Sequence, residues 1–308
     1  MQKLIIIYLS FFLCGCATPM QDAIKRDMIL LDDRADTREL LDYLGAYEVV
    51  VVGEYHGVLE HREFVTDLMI ALSASHGFRH FQTETPHAFQ WMIQAYTEGT
   101  IDIMLPFLMQ AMQVNFNRIR EHNTRADSED MIRVYGIDTN HNPYFLTSSI
   151  KFMLEQDLFN KTDMLIEFLD IAEGFDYPED EQAFTCLAAG LMESLTSDED
   201  HLRILWGDRW YQEIHDLFYW ELVSIEVREP MMSQDIHLRT RLREEVIKSF
   251  SDLYLADAEG GTLINVGGNH AQKQHFRGTP MEWLAEYLIQ RSPYAQGRTC
   301  SIFVIPAK

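Results

Sequence analysis

Four consecutive valines, Val49 to Val52, run into Gly53-Glu54 and open onto Tyr55-His56-Gly57-Val58-Leu59-Glu60-His61. β-Branched side chains favour extended backbone and pack well on a pleated surface. An apolar run without alternation has no face to give to water, so the strand must be covered on both sides. Strands of that kind belong to parallel sheets flanked by helices, where ligands bind beyond the carboxyl ends. Glu54, His56, Glu60 and His61 follow this end directly, so acid–base chemistry or metal binding is the first expectation.

The rest of the chain fits the same plan. Residues 21–45 are polar and helical in pattern, with Leu30, Leu31, Leu40, Leu41 and Leu44 on one apolar face. A strand near 47–53 precedes a helix at about 61–75, whose stripe is Phe64, Leu68, Ile70, Ala71 and Leu72 and whose stop is Gly77. Residues 78–83 read as a second strand ending in Glu84-Thr85-Pro86, with a helix from near His87. Further strands fall at 132–137, ending in Asp138, at 262–266, ending in Gly267-Gly268-Asn269-His270, and at 300–305. Strands alternating with helices predict an α/β fold, a mainly parallel sheet flanked by helices. Between about 145 and 250 the period is helical, which predicts an inserted helical layer within a single domain over 16–308. Trp206, Trp210, Tyr211, Phe218, Tyr219 and Trp220 are spaced as core residues there, with the lining of a substrate cleft as the less favoured reading.

The first residues form a leader. Met1-Gln2-Lys3 is followed by a short apolar run and then Cys14-Gly15-Cys16-Ala17; the run is short for a bilayer span and fits a cleaved signal. Leu13-Cys14-Gly15-Cys16 resembles the bacterial lipobox, which implies a signal peptide over 1–15, lipid on Cys16 and, with Ala17 next, an outer-membrane anchor facing the periplasm. The plain alternative is an ordinary secretory signal. Of 4 cysteines, only Cys186 and Cys300 lie beyond the leader and the anchor. An oxidising periplasm permits a disulfide between them without requiring it. A net charge of −23 argues against nucleic acid as a partner, because a phosphate backbone needs a basic face. The expected partners are a small-molecule substrate and, through the anchor, the membrane.

Glu54 and His56 stand two apart on a loop, where a carboxylate can orient an imidazole and raise its basicity. A loop salt link is the bland reading of the pair. Glu84 ends the neighbouring strand and can hold an imidazolium or ligate a cation, or simply cap the next helix. His270 follows two glycines that permit close backbone approach. Together with Asp138 these make four strand ends expected to converge on one edge. Arg228 and Glu229, before Pro230, supply a guanidinium for an oxyanion or form a solvated helix-end pair. No Gly-x-Ser-x-Gly nucleophile elbow is present.

Gly53-Glu54-Tyr55-His56-Gly57 with Glu60, then Gly77-Phe78-Arg79 and Glu84, then Arg228-Glu229-Pro230-Met231-Met232 and Gly268-Asn269-His270, resemble the erythromycin esterase-like proteins. These share a wider superfamily with the Tiki peptidases and bacterial haem-uptake lipoproteins. The resemblance implies that His56 activates water, that Glu54 and Glu84 orient it or stabilise charge, and that Arg228 and His270 complete the pocket. The last motif departs from the esterase pattern, with Gly268 where a histidine usually precedes the asparagine, so the site carries over more readily than a macrolide substrate.

The leading expectation is a lipid-anchored periplasmic hydrolase of an ester or related acyl bond, with no cofactor required. Two alternatives stand beside it. One is a haem-binding lipoprotein, with a histidine on iron and the aromatic layer over the porphyrin. The other is a divalent-metal peptidase with His56, Glu54, Glu84 and His270 as ligands.

Overall fold

The computed structural model describes residues 4–7, 28–31, 34–232, 235–274 and 281–306. Cys14 and Cys16, and with them the proposed cleavage and lipidation point, lie outside the described residues. In chain order the strands are β1 (Leu4–Ile7), β2 (Met28–Leu31), β3 (Val49–Glu54), β4 (Phe78–Pro86), β5 (Arg133–Asp138), β6 (Gly261–Gly267) and β7 (Thr299–Pro306). The helices are α1 (Arg34–Leu44), α2 (Leu59–His76), α3 (Gln90–Glu98), α4 (Pro106–Asn123), α5 (Tyr144–Glu155), α6 (Asp163–Ala172), α7 (Glu181–Ser197), α8 (Glu199–Trp206), α9 (Asp208–Met232), α10 (Ile236–Ala256) and α11 (Leu284–Gln290).

The strands form one sheet in the order β2-β1-β7-β3-β6-β4-β5. Five of them, β7-β3-β6-β4-β5, run parallel, and the expected α/β class is what the chain adopts. β1 and β2 extend the sheet antiparallel, β1 pairing with β7 and β2 with β1. β3 lies between β6 and β7, and Val49 to Val52 are at most 2% exposed. The unbroken valine run is therefore covered on both faces. Each such side chain contributes about 1.5–3 kcal/mol relative to leaving it in water.

Two expectations about elements need correction. Met28–Leu31 is a strand, and the helix starts only at Arg34. A four-residue apolar run does not distinguish a strand from a buried helical turn by period, and pairing with β1 decides it. Leu40 and Leu44 do form the buried face of α1. On α2 the buried residues include Val65, Leu68, Met69 and Leu72, whereas Phe64, Ile70 and Ala71 are half-buried. The spacing i, i+3, i+4, i+7 makes that narrower set the stripe. Gly77 ends α2 in the left-handed region, at φ 70, as a helix stop of this kind requires.

The chain divides into two compact units, Met1–Glu84 with Gln94–Tyr135 and Lys248–Lys308, and Thr85–Ile93 with Gly136–Ile247. In the first, Asn123 at the end of α4 ties down the approach to β5: its amide donates to the Thr97 and Ile132 carbonyls and its Oδ1 accepts the Ile132 N–H at 2.8 Å. Cys300 is buried there as a free thiol. The second unit is helical from Tyr144 onward. Trp206, Tyr211 and Phe218 are buried in it, and Phe168 meets Phe218 edge-on at 4.9 Å. Tyr219 alone of the six aromatic candidates is classed as exposed. Cys186, in the same unit, is an exposed free thiol.

Candidate functional site

Register brings the polar strand ends of the first unit together. In the β3–β6 pairing Glu54 stands opposite Gly267, and in the β4–β6 pairing Thr83 stands opposite Asn265, so Glu84 follows immediately. His56 lies on the loop after β3. Its Nδ1 is 3.4 Å from Glu54 Oε1 and its Nε2 is 3.9 Å from Glu84 Oε2. His270, on the loop after β6, places Nε2 3.5 Å from Glu84 Oε1. The carboxylates are nearly buried, with side-chain exposures of 8% for Glu54 and 10% for Glu84, whereas His56 is 65% exposed. An accessible imidazole thus sits between two sheltered acids.

Burying a carboxylate requires donors. Glu54 Oε2 accepts from the Asn265 amide at 2.9 Å, and Glu84 Oε2 accepts from the Gly267 N–H at 2.6 Å. Gly267 matters for what it lacks. A Cβ there would stand 2.6 Å from His56 Nε2 and 3.2 Å from Glu84 Oε2. His61, in the opening turn of α2, is buried and its Nδ1 accepts the Tyr55 N–H at 3.1 Å. Burial holds its pKa below the ordinary value against the pull of Glu54 and Glu60. It is therefore neutral, with its proton on Nε2, and anchors the loop that carries His56.

A cavity of about 60 Å³ adjoins this cluster, enough for about four water molecules. Phe81 and Phe116 wall it, and Glu54, Glu84, Asn115 and Asn265 give it polar surface. Asn265 and Asn115 escaped the sequence reading. An asparagine interrupting the apolar β6 was a usable signal; Asn115 on α4 had none.

Asp138 and Arg228 belong to the second unit, each with partners of its own. Arg243 grips Asp138 through two bonds, Nε to Oδ1 at 2.8 Å and Nη2 to Oδ2 at 2.7 Å, and His141 Nε2 is 2.9 Å from Oδ2. Burial alone would raise this carboxyl, but His141 and Arg243 hold it well below the usual carboxylate range. Arg228, with its side chain 3% exposed, donates from Nη2 to Glu221 Oε1 at 2.6 Å, from Nη1 to the Asn140 carbonyl at 2.7 Å and from Nε to Glu181 Oε1 at 3.1 Å. The solvated helix-end pair is thereby corrected: α9 continues through Pro230 to Met232, and the guanidinium is enclosed by acids.

Of the five candidate site residues, the structure brings Glu54, His56, Glu84 and His270 together within one unit. Among the described residues no group of three or more His, Cys, Asp and Glu side chains is arranged to hold a metal ion. The His56 ring occupies the space between Glu54 and Glu84, whereas metal ligands must focus on a common point about 2.0–2.3 Å away.

Solved structures of other proteins share this architecture. A mutant of the erythromycin esterase EreC in its open conformation superposes with a TM-score of 0.58 at 14% identity, over 89% of this chain and 79% of that one. The likeness is one of fold. A Bacillus cereus protein gives 0.61 at 14% identity, over 86% of this chain and 68% of that one. A succinoglycan biosynthesis protein gives 0.60 at 14% identity, over 89% and 74%. No family model and no curated protein matches the chain.

Proposed function

We propose that the protein is a hydrolase that activates water against an ester or related acyl bond, with His56 as the base. The observation that carries this reading is the exposed His56 imidazole set between the sheltered Glu54 and Glu84 carboxylates, beside a cavity of about 60 Å³ at the carboxyl ends of parallel strands. His56 takes a proton from water as the oxygen attacks the acyl carbon, and Glu54 and Glu84 stabilise the imidazolium that forms. The same proton then passes to the departing alcohol as the tetrahedral species collapses. His270 steadies Glu84 from its other oxygen. A fold shared with an esterase makes an ester the first substrate class to assay. In this reading cleavage before Cys16 takes β1 away with the leader, and the mature protein is held by lipid on Cys16 at the outer membrane and faces the periplasm.

The test is turnover of a panel of esters by the purified protein, with bound metal and haem measured in the same preparation. General-base catalysis contributes about 10²–10⁴-fold, so His56→Ala should depress turnover by that order without altering the circular dichroism. A folded His56→Ala protein with wild-type turnover defeats the proposal. A Soret band on adding haem, or activity removed by a chelator and restored by a divalent ion, redirects it to the haem-binding or metal-peptidase alternative.

A further inference from the structure

Two residues that line the cavity beside His56 carry buried acceptor oxygens without donors. Asn265 gives its Nδ2–H to Glu54 Oε2, and since a carboxylate only accepts, this bond fixes the amide's orientation. Its Oδ1 is then a buried oxygen with no hydrogen-bond partner among the described residues, and the Asn115 Oδ1 is in the same condition. Buried polar atoms left unpaired cost stability and are normally satisfied by water or a ligand. The other polar atoms of the cavity include the carboxylates of Glu54 and Glu84, which are acceptors too. A group that enters can donate to these oxygens. Arg62, Thr66 and Thr83 line the same space and bring donors to it, so a group that both donates and accepts, such as a hydroxyl, fits the lining. Room for about four waters in about 60 Å³ suits a short hydroxylated segment.

We propose that this cavity is the subsite for a hydroxyl-bearing part of the substrate, with the Oδ1 atoms of Asn115 and Asn265 as the acceptors that determine specificity. The proposal rests on the hydrolase reading for its kinetic readout, but its binding readout is independent of turnover.

The experiment compares glycerol 1-monobutyrate with propyl butyrate as substrates, and glycerol with 1-propanol as ligands by saturation-transfer NMR, on the wild-type protein. A neutral hydrogen bond predicts a preference for the hydroxylated member of roughly 3–10-fold. Asn115→Leu should abolish the preference, whereas Asn115→Asp, which keeps an acceptor oxygen, should retain it; circular dichroism reports folding of both. No preference in the wild type, in either readout, overturns the proposal and needs no variant. An unchanged preference in folded Asn115→Leu overturns it as well. Turnover without preference removes the subsite and leaves the hydrolase. Glycerol binding that Asn115→Leu abolishes, in a protein without turnover, supports the subsite and removes the hydrolase.

Discussion

Replacing Arg228 by methionine separates a structural guanidinium from one that serves a substrate. Methionine keeps much of the length and apolar stem but leaves Glu221, fully buried, without the 2.6 Å charged bond that balances it. Its remaining bond comes from the Asn140 amide at 2.8 Å. Stranding one member of a buried pair costs about 3–5 kcal/mol, against a total stability on the order of 5–15 kcal/mol. The urea midpoint should therefore fall steeply. Burial already pushes the Glu221 carboxyl up, and Arg228 opposes that. Without the arginine the folded protein should hold a proton on Glu221 well above the unfolded value near 4.3. A folded pKa raised above the unfolded one makes the native state the better proton binder. The variant is thus most stable below that unfolded value and loses stability as pH rises through the folded pKa. Urea titrations at pH 5 and pH 8 read both effects. Adding Glu221→Leu to Arg228→Met should recover most of the loss, because replacing a buried pair by apolar side chains is often neutral. If Arg228→Met keeps wild-type stability at both pH values and loses only ester turnover, the ion-pair argument fails and the arginine acts on ligand.

Three further outcomes follow from the same geometry. Glu84→Gln removes the charge facing His56 and His270 while keeping the side chain's size; turnover should fall about tenfold in a protein whose circular dichroism is unchanged. Burial pushes His87 down to about 3, so its contribution to stability is complete above 6.5 and is lost, at about 1.4 kcal/mol per pH unit, as pH falls from there towards 3; His87→Phe should flatten the acid limb of the melting curve, and an unaltered limb counts against this. Cys16→Ser should move the protein from the membrane fraction to the soluble periplasm, and retention with membranes would disprove the lipid anchor.

The parts of the fold that could be read in advance are those in which each residue repeats the same message. Val49 to Val52 all require cover on both faces, and all four are buried on β3. Glu54, Glu84 and the Gly267-to-His270 turn were visible as ends because the apolar runs stop there. Parallel register, which a sequence does not display, then sets Glu54 opposite Gly267. Less was visible where the partner is distant. Nothing near Arg228 names Glu181, 47 residues away, and Asn115 reaches the cavity only because α4 packs there. Met28 to Leu31 misled because four apolar residues carry no period.

Gly267 contributes only hydrogen where any other residue would place carbon, and the seat of the His56 imidazole is shaped around that gap. Even alanine there puts a methyl where the ring edge rests, so the imidazole must swing out towards solvent while the strand, still able to donate its N–H to Glu84, has every reason to stay folded. Loss of activity can therefore arise at a position with no side-chain chemistry to remove. In a library of natural or random variants, inactive but soluble proteins should accumulate substitutions at this glycine as readily as at the histidine itself, and a survey that scores only acids and imidazoles would pass over them.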